Sequence, residues 1–118
     1  MHTTIQKVKN LQLPSRFEQK LLRDIDHLLS ANIPDLDCIL LFGSCARGEL
    51  RLTSDIDLLI ITKHPLNRHF KGELSSLLEI ELDGVKTDAI FYTQEQYEHS
   101  IRIFTTQIKK EGILLYPI

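Results

Sequence analysis

The stretch Leu40–Ile61, LLFGSCARGELRLTSDIDLLII, constrains this chain more than any other. Two apolar runs, each too short for a typical helix, flank a Gly43-Ser44 turn, and the second opens with Asp55 and Asp57. Alternate side chains of a strand share a face, so this spacing projects the two carboxylates together and points Ile56 and Leu58 the other way. Glycine at the end of the first run lets backbone N–H groups come close to an anion. The stretch therefore predicts metal and phosphate held in one site at the end of a small sheet.

The chemistry follows from the acids. Two ionised carboxylates this close repel each other unless a cation compensates. Magnesium fits best, because it takes oxygen ligands and often uses one or two carboxylates together with substrate phosphates and water. Asp88 is the third candidate ligand. It lies in the apolar run Val85–Tyr92, where an acid is costly to bury unless paired or metal-bound. Three carboxylates at Asp55, Asp57 and Asp88 suit two Mg2+ ions, with Asp88 nearest an incoming hydroxyl. The five histidines, His2, His27, His64, His69 and His99, are dispersed and match no zinc pattern.

Around this centre the pattern predicts two helices and further strands. Phe17, Leu21, Leu22, Ile25, Leu28 and Leu29 recur at helical spacing over residues 15–31, with Ser15 and Glu18 reading as a capping box. Pro34 ends that helix, and Cys38–Phe42 reads as a strand covered on both faces. Ser44–Leu50 suits a short helix, and Asp55–Thr62 the second core strand. Residues 67–74 read as loop and short helix. Asp83-Gly84 predicts a hairpin joining 77–82 to 85–92, although 73–82 is equally compatible with the end of a helix. Thr93 and Gln96 signal a second amphipathic helix, with Tyr97, Ile101, Phe104 and Ile108 as its stripe ending before Gly112. Residues 1–13 read as a short edge strand or an arm, and the apolar tail Ile113–Ile118 is expected to pack on its own chain. The resulting expectation is an α+β fold, a small mixed β-sheet packed by helices, with residues 1–118 as one domain.

A chain of 118 residues leaves little room for a separate acceptor-binding domain. The net charge of -2 gives no general attraction for nucleic acid, although Arg47, Arg51 and Lys86 offer a local basic patch. Cys38 and Cys45 form no paired pattern and read as free thiols, Cys38 as a small buried hydrophobe. No run approaches the length of a membrane span, and no signal-peptide core is evident, so a soluble cytoplasmic protein is expected.

Gly43–Asp57, GSCARGELRLTSDID, resembles the signature of the minimal nucleotidyltransferases in the DNA polymerase beta-like superfamily. Gly43-Ser44 matches the turn that holds the triphosphate, and Arg47-Gly48 the arginine-glycine pair. Ser54 precedes the metal-binding Asp55 and Asp57, and Asp88 matches the third carboxylate. The resemblance implies nucleotide binding around Gly43, Ser44, Arg47 and Ser54, with two Mg2+ ions on the three aspartates. Arg47 has two open roles, contacting phosphate or pinning the loop through a carboxylate. The implied reaction is transfer of a nucleoside monophosphate, AMP from ATP by preference, to a hydroxyl, with pyrophosphate released. Free-standing members of this kind are often paired with a small helical HEPN protein, and some resemble antitoxins that adenylylate a tyrosine of that partner. The alternatives are transfer to a small molecule and a non-catalytic, purely steric antitoxin. Self-association is left open.

Overall fold

The computed structural model describes residues 2–117. Along the chain run α1 (His2–Asn10), α2 (Ser15–Ser30), β1 (Leu36–Phe42), α3 (Gly43–Arg47), β2 (Ile56–Thr62), α4 (Arg68–Leu78), β3 (Thr87–Thr93), α5 (Gln94–Glu98), α6 (Ile103–Glu111) and β4 (Ile113–Tyr116). The strands form one mixed sheet in the order β3-β2-β1-β4. β1 pairs antiparallel with both β2 and β4, whereas β2 and β3 run parallel. The expected α+β architecture, a small mixed sheet packed by helices, is the one found.

Strand alternation divides the core in two. On one face Ile39, Leu41, Ile56, Leu58 and Ile60 meet Phe17, Leu21, Ile25 and Leu28 of α2, Val8 of α1, and Leu74 and Leu78 of α4. On the other face a smaller cluster of Leu59, Ile61 and Ile108 gathers Leu40, Phe42, Tyr92, Tyr97 and Phe104. Phe104 anchors it with edge-on contacts to Phe42 and Tyr92, at centroid distances of 5.9 and 6.4 Å. The catalytic candidates lie on this second, thinner face.

Several expectations are corrected. Residues 2–10 are helical, with Thr4 and Val8 buried, so the short edge strand or arm expected there is replaced by a packing helix. Pro14, not Ser15, is the N-cap of α2 and no side chain caps it; Ser15 is already helical, so its hydroxyl sits one position too far along for a capping box. Asp83-Gly84 does turn with positive φ at both residues, 50° and 81°, as the dipeptide predicts. It closes only a single bridge, Leu82 to Val85, and not a hairpin. The helical alternative holds through Leu78, and because α4 crosses over between β2 and β3, those strands are parallel.

The helix expected after Thr93 starts with the capping box, Thr93 with Gln96, but breaks at residues 99–102. Ser100 Oγ accepts from the Arg102 amide at 3.3 Å and donates to Thr105 Oγ1 at 2.8 Å, fastening the break. Ile101 therefore leaves the expected stripe and stands 95% exposed. Cys38 is only half-buried, where a small buried hydrophobe was expected. The tail packs on its own chain, as expected: β4 lines up beside β1 and Leu115 is fully buried. Its last residue, Ile118, lies outside the described residues, as does Met1.

Candidate active site

The site is assembled by register. In the β1–β2 pair Phe42 stands opposite Asp57, and in the β2–β3 pair Asp57 stands opposite Asp88. Asp55 lies two residues before Asp57, immediately ahead of β2. The three acids thus fall at one end of the sheet, with Asp57 central and half-buried and Asp55 and Asp88 exposed. Ile56 and Thr87, their neighbours in sequence, point into the opposite face and are buried.

Gly43 leaves β1 with φ at +72°, a left-handed conformation that glycine adopts freely. It also lies hard against Asp57: a Cβ at this position would come within 2.2 Å of Asp57 Oδ2. The turn passes directly into α3, which closes at Gly48 with φ at +71°. The first amides of a helix lack intrahelical partners, so the turn keeps donors free beside the acids. Cys45 of α3 is buried, and its Sγ approaches the Asp55 carbonyl at 3.8 Å. Burial, then the Asp57 and Asp55 charges, push this thiol up to about 12, which leaves it a packing group and not a nucleophile.

Asp57 carries the electrostatic signature of the site. Burial first, then the charges of Asp88 and Asp55, raise its carboxyl to about 6, and Arg47 opposes them. Arg47 is held by carboxylates in this structure: its Nε donates to Glu49 Oε1 at 2.6 Å, and its Nη1 lies 3.6 Å from Glu111 Oε2. A crevice lined by Phe42, Gly43, Arg47, Phe104, Gln107 and Glu111 adjoins the turn and brings α6 to its rim. Ser54 Oγ accepts from the Arg51 amide at 2.8 Å and so closes the loop ahead of Asp55. A broader groove runs along α4 and contains none of these residues.

Among the described residues, no three or more His, Cys, Asp or Glu side chains are arranged to hold a metal ion. The donor set nevertheless fits magnesium, since one or two carboxylates suffice when phosphates and water complete the shell. A cation would also relieve the repulsion that raises Asp57.

Two charged residues with structural bearing on the site were missed from sequence. Lys20 and Asp24 of α2 are both fully buried beneath the start of β3. The signal was present: with Phe17, Leu21, Ile25 and Leu28, they complete an uninterrupted helical stripe at positions 17, 20, 21, 24, 25 and 28.

Acids that repel one another beside a glycine turn suit a domain that uses nucleotide and metal together. The chain belongs to the polymerase beta, nucleotidyltransferase family, whose model matches residues 16–117. It is 38% identical over 65 residues to the protein adenylyltransferase MntA of Shewanella oneidensis, an alignment covering 55% of this chain and 42% of that protein. The chain thus spans about two fifths of the length of this curated relative. Among solved structures it is similar to a chain of a toxin-antitoxin crystal structure with AMP-PNP, at TM-score 0.61 and 28% identity, covering 81% of this chain and 73% of that one. It is also similar to a chain in a structure of tri-AMPylated Shewanella oneidensis HEPN toxin in complex with MNT antitoxin, at TM-score 0.56 and 26% identity, covering 84% of this chain and 73% of that one.

Proposed function

We propose that this chain transfers AMP from ATP to a hydroxyl of a partner protein, a tyrosine of a HEPN-type toxin, and thereby acts as an antitoxin in the cytoplasm. The observation that carries the reading is the register of Asp57 with Asp88 across parallel strands, with Asp55 and the Gly43 turn beside them. The similarity to a protein adenylyltransferase and to an MNT antitoxin in complex with an AMPylated HEPN toxin supports the choice of nucleotide and acceptor.

In this mechanism Asp55, Asp57 and Asp88 would hold the two Mg2+ ions, and amides of the Gly43-Ser44 turn would receive the triphosphate. Magnesium, when bound, supplies charge neutralisation for the triphosphate and its leaving group and lowers the pKa of the attacking hydroxyl. Asp88, exposed on the edge strand β3, accepts the acceptor's proton. The acceptor oxygen bonds to the α-phosphorus as the bond to pyrophosphate breaks, giving an AMP ester of the partner. Arg47 exchanges its Glu49 and Glu111 contacts for phosphate.

The test is incubation of the purified chain with α-labelled ATP, Mg2+ and a HEPN-type partner. Label should move to the partner, and transfer should fall roughly 100-fold or more in Asp55→Ala and Asp57→Ala, as the loss of several kcal/mol of charge stabilisation requires. Inhibition of the partner without label transfer, unchanged in those variants, would reduce the chain to a steric antitoxin. Label on a small molecule and none on the protein would refute the acceptor.

A further inference from the structure

The face of α2 that meets the sheet carries a polar ring inside an otherwise apolar contact. Lys20 Nζ donates to Asp24 Oδ1 at 2.5 Å, to the Leu78 carbonyl at 2.7 Å and to Thr87 Oγ1 at 2.7 Å. Thr87 Oγ1 in turn donates to Asp24 Oδ2, so the ring closes on itself. Lys20 and Asp24 are fully buried and Thr87 is 2% exposed. Every ammonium donor has an acceptor, and both carboxylate oxygens are used.

A buried ion pair is a poor choice if stability alone is at stake, because apolar groups of the same volume often do as well or better. What such a ring does supply is fixed location. Thr87 is the first residue of β3, and Asp88 follows it on the opposite face, opposite Asp57. Thr87 itself pairs with Ile56, the residue between Asp55 and Asp57. One turn earlier on α2, Arg16 donates to the Leu52 carbonyl at 2.8 Å and to the Asp83 carbonyl at 3.2 Å. These carbonyls belong to the two loops that lead into β2 and β3. α2 thus fastens, from beneath, both segments that deliver the acids.

We propose that the Lys20–Asp24–Thr87 ring is a positioning device for Asp88, setting the third carboxylate level with Asp57 through the backbone of β3. Thr87 is the transmitting residue: its hydroxyl is gripped on one face of the sheet, and the next side chain is presented on the other. The inference rests on Asp88 acting as a metal-binding carboxylate.

Thr87→Val removes the hydroxyl while keeping size and β-branching, and Thr87→Ser restores the hydroxyl. Each is measured for Mn2+ binding in the presence of AMP-PNP, for kcat and KM of label transfer, and for urea unfolding. Thr87→Val should bind Mn2+ about tenfold more weakly and lose about tenfold in kcat, with KM for ATP little changed, the range typical of groups that orient metal ligands. Thr87→Ser should recover both. Should Thr87→Val fail to fold, Thr87→Cys, a much weaker hydrogen-bonding group, provides the same comparison. A folded Thr87→Val or Thr87→Cys with native Mn2+ binding and kcat overturns the proposal. Equal defects in Thr87→Ser and Thr87→Val would also overturn it, since the hydroxyl would then not matter. Asp88→Asn separates the two levels of the argument. If it abolishes transfer while Thr87→Val does not, only the positioning role fails; if it transfers normally, the reading of Asp88 fails and the positioning role with it.

Discussion

Gly43 and Gly48 have nearly the same backbone conformation, with φ of +72° and +71°, but very different surroundings. A Cβ on Gly48 meets nothing within 4 Å, whereas one on Gly43 runs into the Asp57 carboxylate. The pair therefore separates the conformational role of glycine from its contact role. Both Gly→Ala changes should cost about 1–2 kcal/mol through the left-handed conformation. Only Gly43→Ala should also displace Asp57, and a shift of that size near the reacting groups lowers transfer about 100-fold. Urea unfolding and label transfer on the two variants check this; equal activities would mean that the Gly43 contact does not set Asp57. The sequence marked Gly43 as a phosphate-turn glycine. Its packing against Asp57 depends on the Phe42–Asp57 register, which sequence alone does not display.

At the level of elements, local signals were legible and their long-range use was not. The strands bearing Asp57 and Asp88, the capping box at Thr93 and the self-packing tail were all readable, because each rests on alternation, a cap or simple hydrophobicity. The Asp83-Gly84 turn was readable too, but the strand pairing it suggested was overridden when α4 extended to Leu78 and made β3 a parallel neighbour. Lys20 and Asp24 lie on the legible stripe of α2, but their charge argued against burial, because charged residues are ordinarily placed outside a core. The break before α6 was hidden because Ile101 continued the helical spacing while Ser100 held the backbone elsewhere. This contrast is measurable. Ile101→Ser should change stability by less than about 0.5 kcal/mol, as for other exposed sites. Leu115→Ala, which empties a fully buried position on β4, should cost about 2–5 kcal/mol. A large loss in Ile101→Ser would restore the continuous helix.

Over the whole molecule, stability and chemistry are drawn from opposite faces of one sheet. The larger cluster packs beneath α1, α2 and α4, while the acids sit where the smaller cluster under α5 and α6 runs out. This division lets the site keep an arrangement that opposes folding: Asp57 is desolvated and repelled by Asp88 and Asp55, so its ionised form is unfavourable, and a bound cation would relieve it. Removing that charge should strengthen the free protein while removing its response to ligand. At pH 7 without metal, Asp57→Asn is expected to be more stable than the native chain by about 1 kcal/mol, in the range of substitutions that relieve a strained functional group. Mg2+ together with AMP-PNP at about 100 times its dissociation constant should stabilise the native chain by about 2.7 kcal/mol. The same addition should leave the melting temperature of Asp57→Asn nearly unmoved. Thermal melts with and without the two ligands decide the matter. If Asp57→Asn melts lower than the native chain in their absence, Asp57 supports the fold and is not held there against it. An equal ligand-induced rise in both proteins would take Asp57 out of the nucleotide and metal site.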